Sequence, residues 1–128
     1  MEGVKQANGD SVAMIDGLQL YAGDDDMLAK VLDLGGTGGI TVASHIVGPQ
    51  MRRMVDEPSE RAAINEQLQD IFAALGVTTN PIPVKAAMNL LGFEVGGLRM
   101  PLVEASDDEL AVIRTALERH QLLTRTVI

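Results

Sequence analysis

The chain contains no cysteine. That excludes disulfides, thiolate nucleophiles and cysteine-ligated metals, and it suits a reducing compartment. Tryptophan is also missing and aromatic residues are only 2% of the chain, so there is no stacking platform of the kind that binds single-stranded nucleic acid. Basic residues are scarce: 10 Lys and Arg stand against 18 Asp and Glu, for a formal net charge of -8. Phosphate backbones need clustered positive charge, so a nucleic-acid partner is disfavoured. No stretch approaches the ~18 uninterrupted apolar residues of a membrane span. The opening MEGVKQANGD has neither the basic start nor the apolar centre of a signal peptide, and the cytoplasm is the expected address.

What is present is enough aliphatic material for a core. Apolar residues are 46% of 128, carried by Leu, Val, Ile, Ala and seven Met, which fits one domain or part of one. The first half alternates short apolar runs with helical patterns. The runs are Gly3-Val4, then Leu18–Ala22 ended by Gly23-Asp24-Asp25-Asp26, then Gly39–Ala43 led by Gly35-Gly36-Thr37-Gly38. A short helical candidate lies around Ser11–Ile15. A clearer one spans Met27–Leu34, with Met27, Leu28, Val31, Leu32 and Leu34 near 3.6-residue spacing. The Asp cluster reads as its N-cap and first turn. Strand, helix, strand, helix, strand in short order predicts consecutive βα units on a parallel sheet.

The second half reads as helical. Pro49 is expected to open a helix through Met54 and Val55, interrupted at Pro58. A long amphipathic segment follows from Ser59, with Ala62, Ile64, Leu68, Ile71, Phe72 and Leu75 apolar and Gly76 as its C-cap. Asn80-Pro81-Ile82-Pro83 leads into a helix from Val84 to Leu91, closed by Gly92. Leu98–Val103 is an extended connector. Ser106, with Glu109 three residues on, opens the last helix in a capping box, and that helix is expected to reach about Gln121. The division expected is 1–57 for the βα units and 58–128 for the helical region.

Lys5, Lys30 and Lys85 are the three lysines. Lys30 reads as part of a solvated helix face and Lys85 as structural. Lys5 stands at the C-terminal end of a short apolar run, where the strands of a (β/α)₈ barrel deliver catalytic groups. A lysine amine there can lose its charge by desolvation and attack a ketone, forming a Schiff base. By residue type alone a solvated surface charge is the commoner fate of such a lysine, and both readings stand. His45 could be a base, but a hydrogen-bonded histidine below the barrel rim is the better reading. Asp24, Asp25 and Asp26 lack the spacing and distal glutamate of a calcium loop, so helix capping accounts for them better. Gly35, Gly36, Gly38 and Gly39 precede a strand and lack the Gly-Lys-Ser/Thr of a phosphate loop, so they read as a helix-to-strand turn. No metal-ligand cluster is seen.

The succession GVKQANGD, LYAGDDD, GGTGGITVASHI, TTNPIPVKAAMNLLG and LRMPLVEAS resembles the C-terminal part of the dihydrodipicolinate synthase family, among the pyruvate-dependent lysine Schiff-base aldolases. The resemblance runs through practically the whole chain in the right order, and the ordered set with NPIPVK is specific. It implies strands six to eight of a (β/α)₈ TIM barrel followed by extra C-terminal helices. It also implies condensation of pyruvate with aspartate semialdehyde to 4-hydroxy-tetrahydrodipicolinate, in lysine and diaminopimelate synthesis. On this resemblance Lys5 is the imine-forming lysine of the G-[VI]-K motif, and Ile40 offers its backbone carbonyl near bound pyruvate. Gly23 and Asp24 line the site at the barrel mouth. No metal or organic cofactor is implied, and homo-oligomers, commonly tetramers, are.

The same resemblance marks what is missing. A (β/α)₈ barrel needs ~250 residues, so this chain reads as about half of one, with its beginning missing. On the family pattern strands one to five are absent. With them go the Gly-Thr-Thr-Gly-Glu loop that holds the pyruvate carboxylate, the proton-relaying tyrosines and the lysine-feedback site. Tyr21 precedes the Gly-Asp-Asp and is no substitute. The segment from Lys5 to Gly23 is shorter than the family usually has, and the chain alone is expected to have little or no activity. Two rivals follow: a related keto-acid aldolase or dehydratase using the same lysine, and a non-catalytic half-barrel that self-associates or complements a partner.

Overall fold

The computed structural model describes residues 1–123. They form two compact units, one from Met1 to Gln69 and one from Asp70 onward. No helix among the described residues is long and apolar enough to cross a membrane.

The first unit is built on three parallel strands, β1 (Gly3–Gln6), β2 (Gln19–Ala22) and β3 (Gly38–Gly39), paired in that order. The register sets Lys5 beside Tyr21, Tyr21 beside Gly38 and Ala22 beside Gly39. Side chains alternate across a strand. Leu20 and Ala22 are fully buried on the side where α1 (Leu28–Asp33) packs against β2, so Tyr21 and Lys5 share the opposite face. Among the described residues β1 and β3 are each paired on one side only.

The expected helix around Ser11–Ile15 does not form. A single 3₁₀ turn, Gly9–Ser11, stands there, and the chain then runs to β2 without regular structure. So short a segment cannot meet the cost of nucleating an α-helix, and other groups satisfy its backbone. Asn8 accepts from the Asp10 N–H, and the Gln6 amide both donates to the Ala13 carbonyl and accepts from the Ala13 N–H. The second expected helix is present as a 3₁₀ turn, Asp25–Met27, running into α1. The glycine turn lies between α1 and β3 as expected. Gly35 has φ +97, open to glycine at no steric cost. A Cβ on Gly36 would run into Val31 Cγ1.

The third strand is shorter than the sequence suggests, because the chain leaves the sheet after Ile40 and turns into α2 (Ser44–Asp56). That helix begins before Pro49 and is kinked at Val47 (φ -121, ψ 38). Pro49 thus falls in the first turn after the kink, where a residue without an N–H is tolerated. The segment expected to form one long helix across its break at Leu68 is two, α3 (Arg61–Gln67) and α4 (Gln69–Leu75). Met27, Leu28, Val31, Val47, Met51, Met54, Ile64 and Leu68 fill the core of the first unit.

In the second unit α5 (Ile82–Leu90) packs against α6 (Asp107–Arg119), with Ile82, Val84, Ala87, Ile113, Ala116 and Leu117 buried. Gly92 closes α5 with φ +88. Residues 93–105 carry no regular helix or strand and are strapped to α5. The Lys85 amine donates to the Gly97 carbonyl, and the Asn89 amide donates to Gly96 O and accepts from Val95 N. His120 Nε2 lies 2.6 Å from Asp70 Oδ1, joining the end of α6 to the first turn of α4. The capping box at Ser106 and Glu109 is complete.

Candidate functional site

The C-terminal ends of the three strands gather the residues expected to form the site. Lys5 is the third residue of β1 and is exposed. Lys30 is on an exposed helix face as expected, its amine also donating to Gly9 O at 2.9 Å, and Lys85 is engaged with Gly97. The Lys5 amine, by contrast, has no hydrogen-bond or ion-pair partner among the described residues. It is therefore the lysine whose nitrogen is open to an incoming carbonyl.

One residue on from Lys5, the Gln6 carbonyl accepts from the Gly23 N–H at 2.6 Å. This close approach needs glycine: a Cβ at position 23 would lie 2.8 Å from both Ala7 Cβ and Gln6 O. The next strand is tied in the same way, with the Ile40 N–H donating to Ala22 O at 2.9 Å. Ile40 is 56% exposed immediately past β3. Asp24 is exposed at the start of the Asp25–Met27 turn and makes no side-chain capping bond. Lys5, Gly23 and Ile40 thus lie on three neighbouring strand ends laced by backbone bonds. Beside them, a cavity of about 370 Å³ is lined by Tyr21, Thr37, Gly38, Gly39 and Thr41 on the strand side and Ser44, Gly48, Met51 and Arg52 on the α2 side. The Tyr21 hydroxyl donates to Gln19 Oε1 at 2.8 Å.

Two residues escaped the sequence reading. Asp25 does not cap its own helix; its Oδ1 accepts from both Val42 N and Ala43 N at 2.9 Å, at the start of α2. Burial pushes its carboxyl above the usual carboxylate range, against the lowering by the Ala43 and Val42 N–H groups, and the charges of Asp24 and Asp26 add to the rise. Three successive aspartates where one cap would suffice was the available signal. Arg61 is buried under α2, its Nε donating to Met54 O and its guanidinium paired with Asp33, each at 2.8 Å. His45 is exposed on the first turn of α2, with no ring hydrogen bond to any described residue. It is therefore not the hydrogen-bonded histidine expected.

Residues 1–120 match the model of the dihydrodipicolinate synthetase family. The chain belongs to that family. It is 45% identical over 109 residues to a 4-hydroxy-tetrahydrodipicolinate synthase of Heliobacterium modesticaldum, covering 81% of this chain and 36% of that one. A synthase of the same name from a Thermoanaerobacter species is 38% identical over 133 residues, covering 94% and 45%. Among solved structures, DHDPS from Cyanidioschyzon merolae with lysine bound superposes with a TM-score of 0.88 at 36% identity, over 96% of this chain and 46% of that one. Dihydrodipicolinate synthase from Thermotoga maritima gives 0.80 at 37% identity, over 84% and 38%. The chain therefore spans less than half the length of the family members it matches here. The family's structures, TIM-barrel enzymes, share the small parallel sheet and the helices described above.

Proposed function

We propose that this chain supplies the Schiff-base half of a 4-hydroxy-tetrahydrodipicolinate synthase. On this reading residues 1–57 are strands six to eight of a (β/α)₈ barrel with their helices, and 58–128 the helical extension. The Lys5 nitrogen attacks the ketone carbon of pyruvate, and loss of water leaves an iminium. The iminium draws electrons from the neighbouring methyl group, which gives up a proton to form an enamine. The enamine carbon attacks the aldehyde of aspartate semialdehyde; attack by its amine on the imine carbon closes the ring and releases Lys5. The imine itself is the electron sink, so the reading calls for no metal or organic cofactor.

The observation that carries this reading is the unpartnered Lys5 amine on a parallel strand end, laced to Gly23 and Ile40. Gly23 and Asp24 would border the bound substrate, and the Ile40 carbonyl would meet the pyruvate. A cytoplasmic homo-oligomer belongs to the same proposal. Borohydride trapping with pyruvate, followed by peptide mapping, tests it. A reduced adduct confined to Lys5 is the expected result; labelling of nothing, or of Lys30 and Lys85 equally, would overturn it. The one-sided pairing of β1 and β3 favours a second reading, a half-barrel that self-associates or completes a partner. Trapping at Lys5 only when a complementing polypeptide is present would favour that reading.

A further inference from the structure

We propose that Asp25 is a positioning residue for this site, its side chain holding the turn from Ile40 to Ala43 and so setting where Ile40 stands relative to Lys5. The inference rests on the pyruvate-imine reading and deepens it.

Few other bonds tie that turn to the sheet. The β3 strand has two residues, and its ladder is extended only by Thr37 N to Leu20 O at 2.8 Å and Ile40 N to Ala22 O at 2.9 Å. Past Ile40 the chain leaves the sheet and enters α2, where the His45, Ile46 and Val47 N–H groups reach the Val42 and Ala43 carbonyls, but the Val42 and Ala43 N–H groups just ahead of the helix meet no backbone acceptor among the described residues. The Ser44 hydroxyl, the nearest capping group in sequence, is turned away, donating to Thr41 O at 3.0 Å. Asp25 fills the role from 17 and 18 residues away. It sits two residues past Gly23, whose own N–H is fastened to the end of the Lys5 strand. The side chain therefore closes a short mechanical path from β1, through the β2 exit, to the Ile40 turn.

The geometry also says which property of the side chain matters. A single oxygen, Oδ1, receives both N–H groups. The other oxygen is not needed for the tether, and burial of the group disfavours its charge. One carbonyl oxygen at that reach is sufficient, so asparagine can replace aspartate and alanine or serine cannot.

Two readouts on the full chain test this: hydrogen exchange at the Val42 and Ala43 amides, and the pyruvate dependence of borohydride trapping at Lys5. In Asp25→Ala, exchange at both amides is expected to quicken by roughly tenfold or more, as for a lost bond to a carboxylate. The pyruvate concentration for half-maximal trapping should rise several-fold while the limiting trapping rate holds. Asp25→Asn should restore both. Should Asp25→Ala fail to fold, Asp25→Ser, whose hydroxyl falls short, takes its place. The proposal is overturned if the alanine or serine variant keeps wild-type half-saturation, or if asparagine behaves like alanine. If the wild type traps no pyruvate at Lys5, the pyruvate reading itself has failed. Protection from exchange that is lost in alanine and kept in asparagine would then leave Asp25 a purely structural tether, which also overturns the positioning role.

Discussion

Arg61 shows how one charged side chain can become part of the core. Its guanidinium reaches in two directions, to the Met54 carbonyl at the end of α2 and to Asp33 at the end of α1. The two contacts are not equivalent. Met54 is fully buried, so removing the donor leaves a buried carbonyl unpaired, whereas the Asp33 side chain is 69% exposed and water can replace its partner. Arg61→Ala is therefore expected to cost about 2 kcal/mol in urea unfolding. Asp33→Ala should cost under about 1 kcal/mol, as solvent-screened pairs do. Equal losses from the two variants would mean that the ion pair, rather than the carbonyl, is the stabilising contact. In sequence neither contact could be read: the partners are 7 and 28 residues from Arg61, and no periodicity links them.

At the scale of the element, the clearest agreement between sequence and structure is α6. Ser106 accepts from the Glu109 N–H, and Glu109 Oε2 accepts from the Ser106 N–H at 2.9 Å. Two of the four orphan donors of the helix start are satisfied within four residues, which is why the motif could be read directly. Ser106→Ala should lower the stability of the second unit by about 1 kcal/mol, seen as a shifted denaturation midpoint with an unchanged slope. An unshifted midpoint would mean that water caps the helix equally well. The helix α2 is the opposite case. Its start depends on a carboxylate from another loop, and its kink at Val47 rather than the proline itself marks where the regular turn resumes. A proline in the sequence marks a boundary, but not on which side the helix extends.

For the molecule as a whole, the question is how three strands would support the lysine nucleophile proposed above. The sheet buries one face of β2 under α1 and leaves the face carrying Lys5 and Tyr21 on the other side. A closed barrel would shelter that face from water. Addition in trans of a polypeptide carrying the first five strand–helix units of a family member is therefore expected to raise the trapping rate at Lys5. The edges of β1 and β3 that no described residue pairs are where such strands would pair. A trapping rate unchanged by the added polypeptide, although the two associate, would show that barrel closure does not activate the lysine.

The sequence by itself determined the family and the order of its motifs, the three short parallel strands, the glycine turn before β3, and the caps of α5 and α6. The turn and the caps rest on bonds spanning a few residues or on side-chain volume at single positions, as with Gly36 against Val31, and the strands on short local apolar runs. It also singled out Lys5, Gly23 and Ile40 through the family resemblance, and the structure places them on three adjacent strand ends. Only the tertiary structure decided that residues 11–15 form no α-helix, that Asp25 serves α2 rather than its own helix, and that Lys30 and Lys85 are bonded while the Lys5 amine is open. Each of those outcomes depends on which acceptor lies within about 3 Å once the chain has folded, and that distance between remote residues is written in no local spacing.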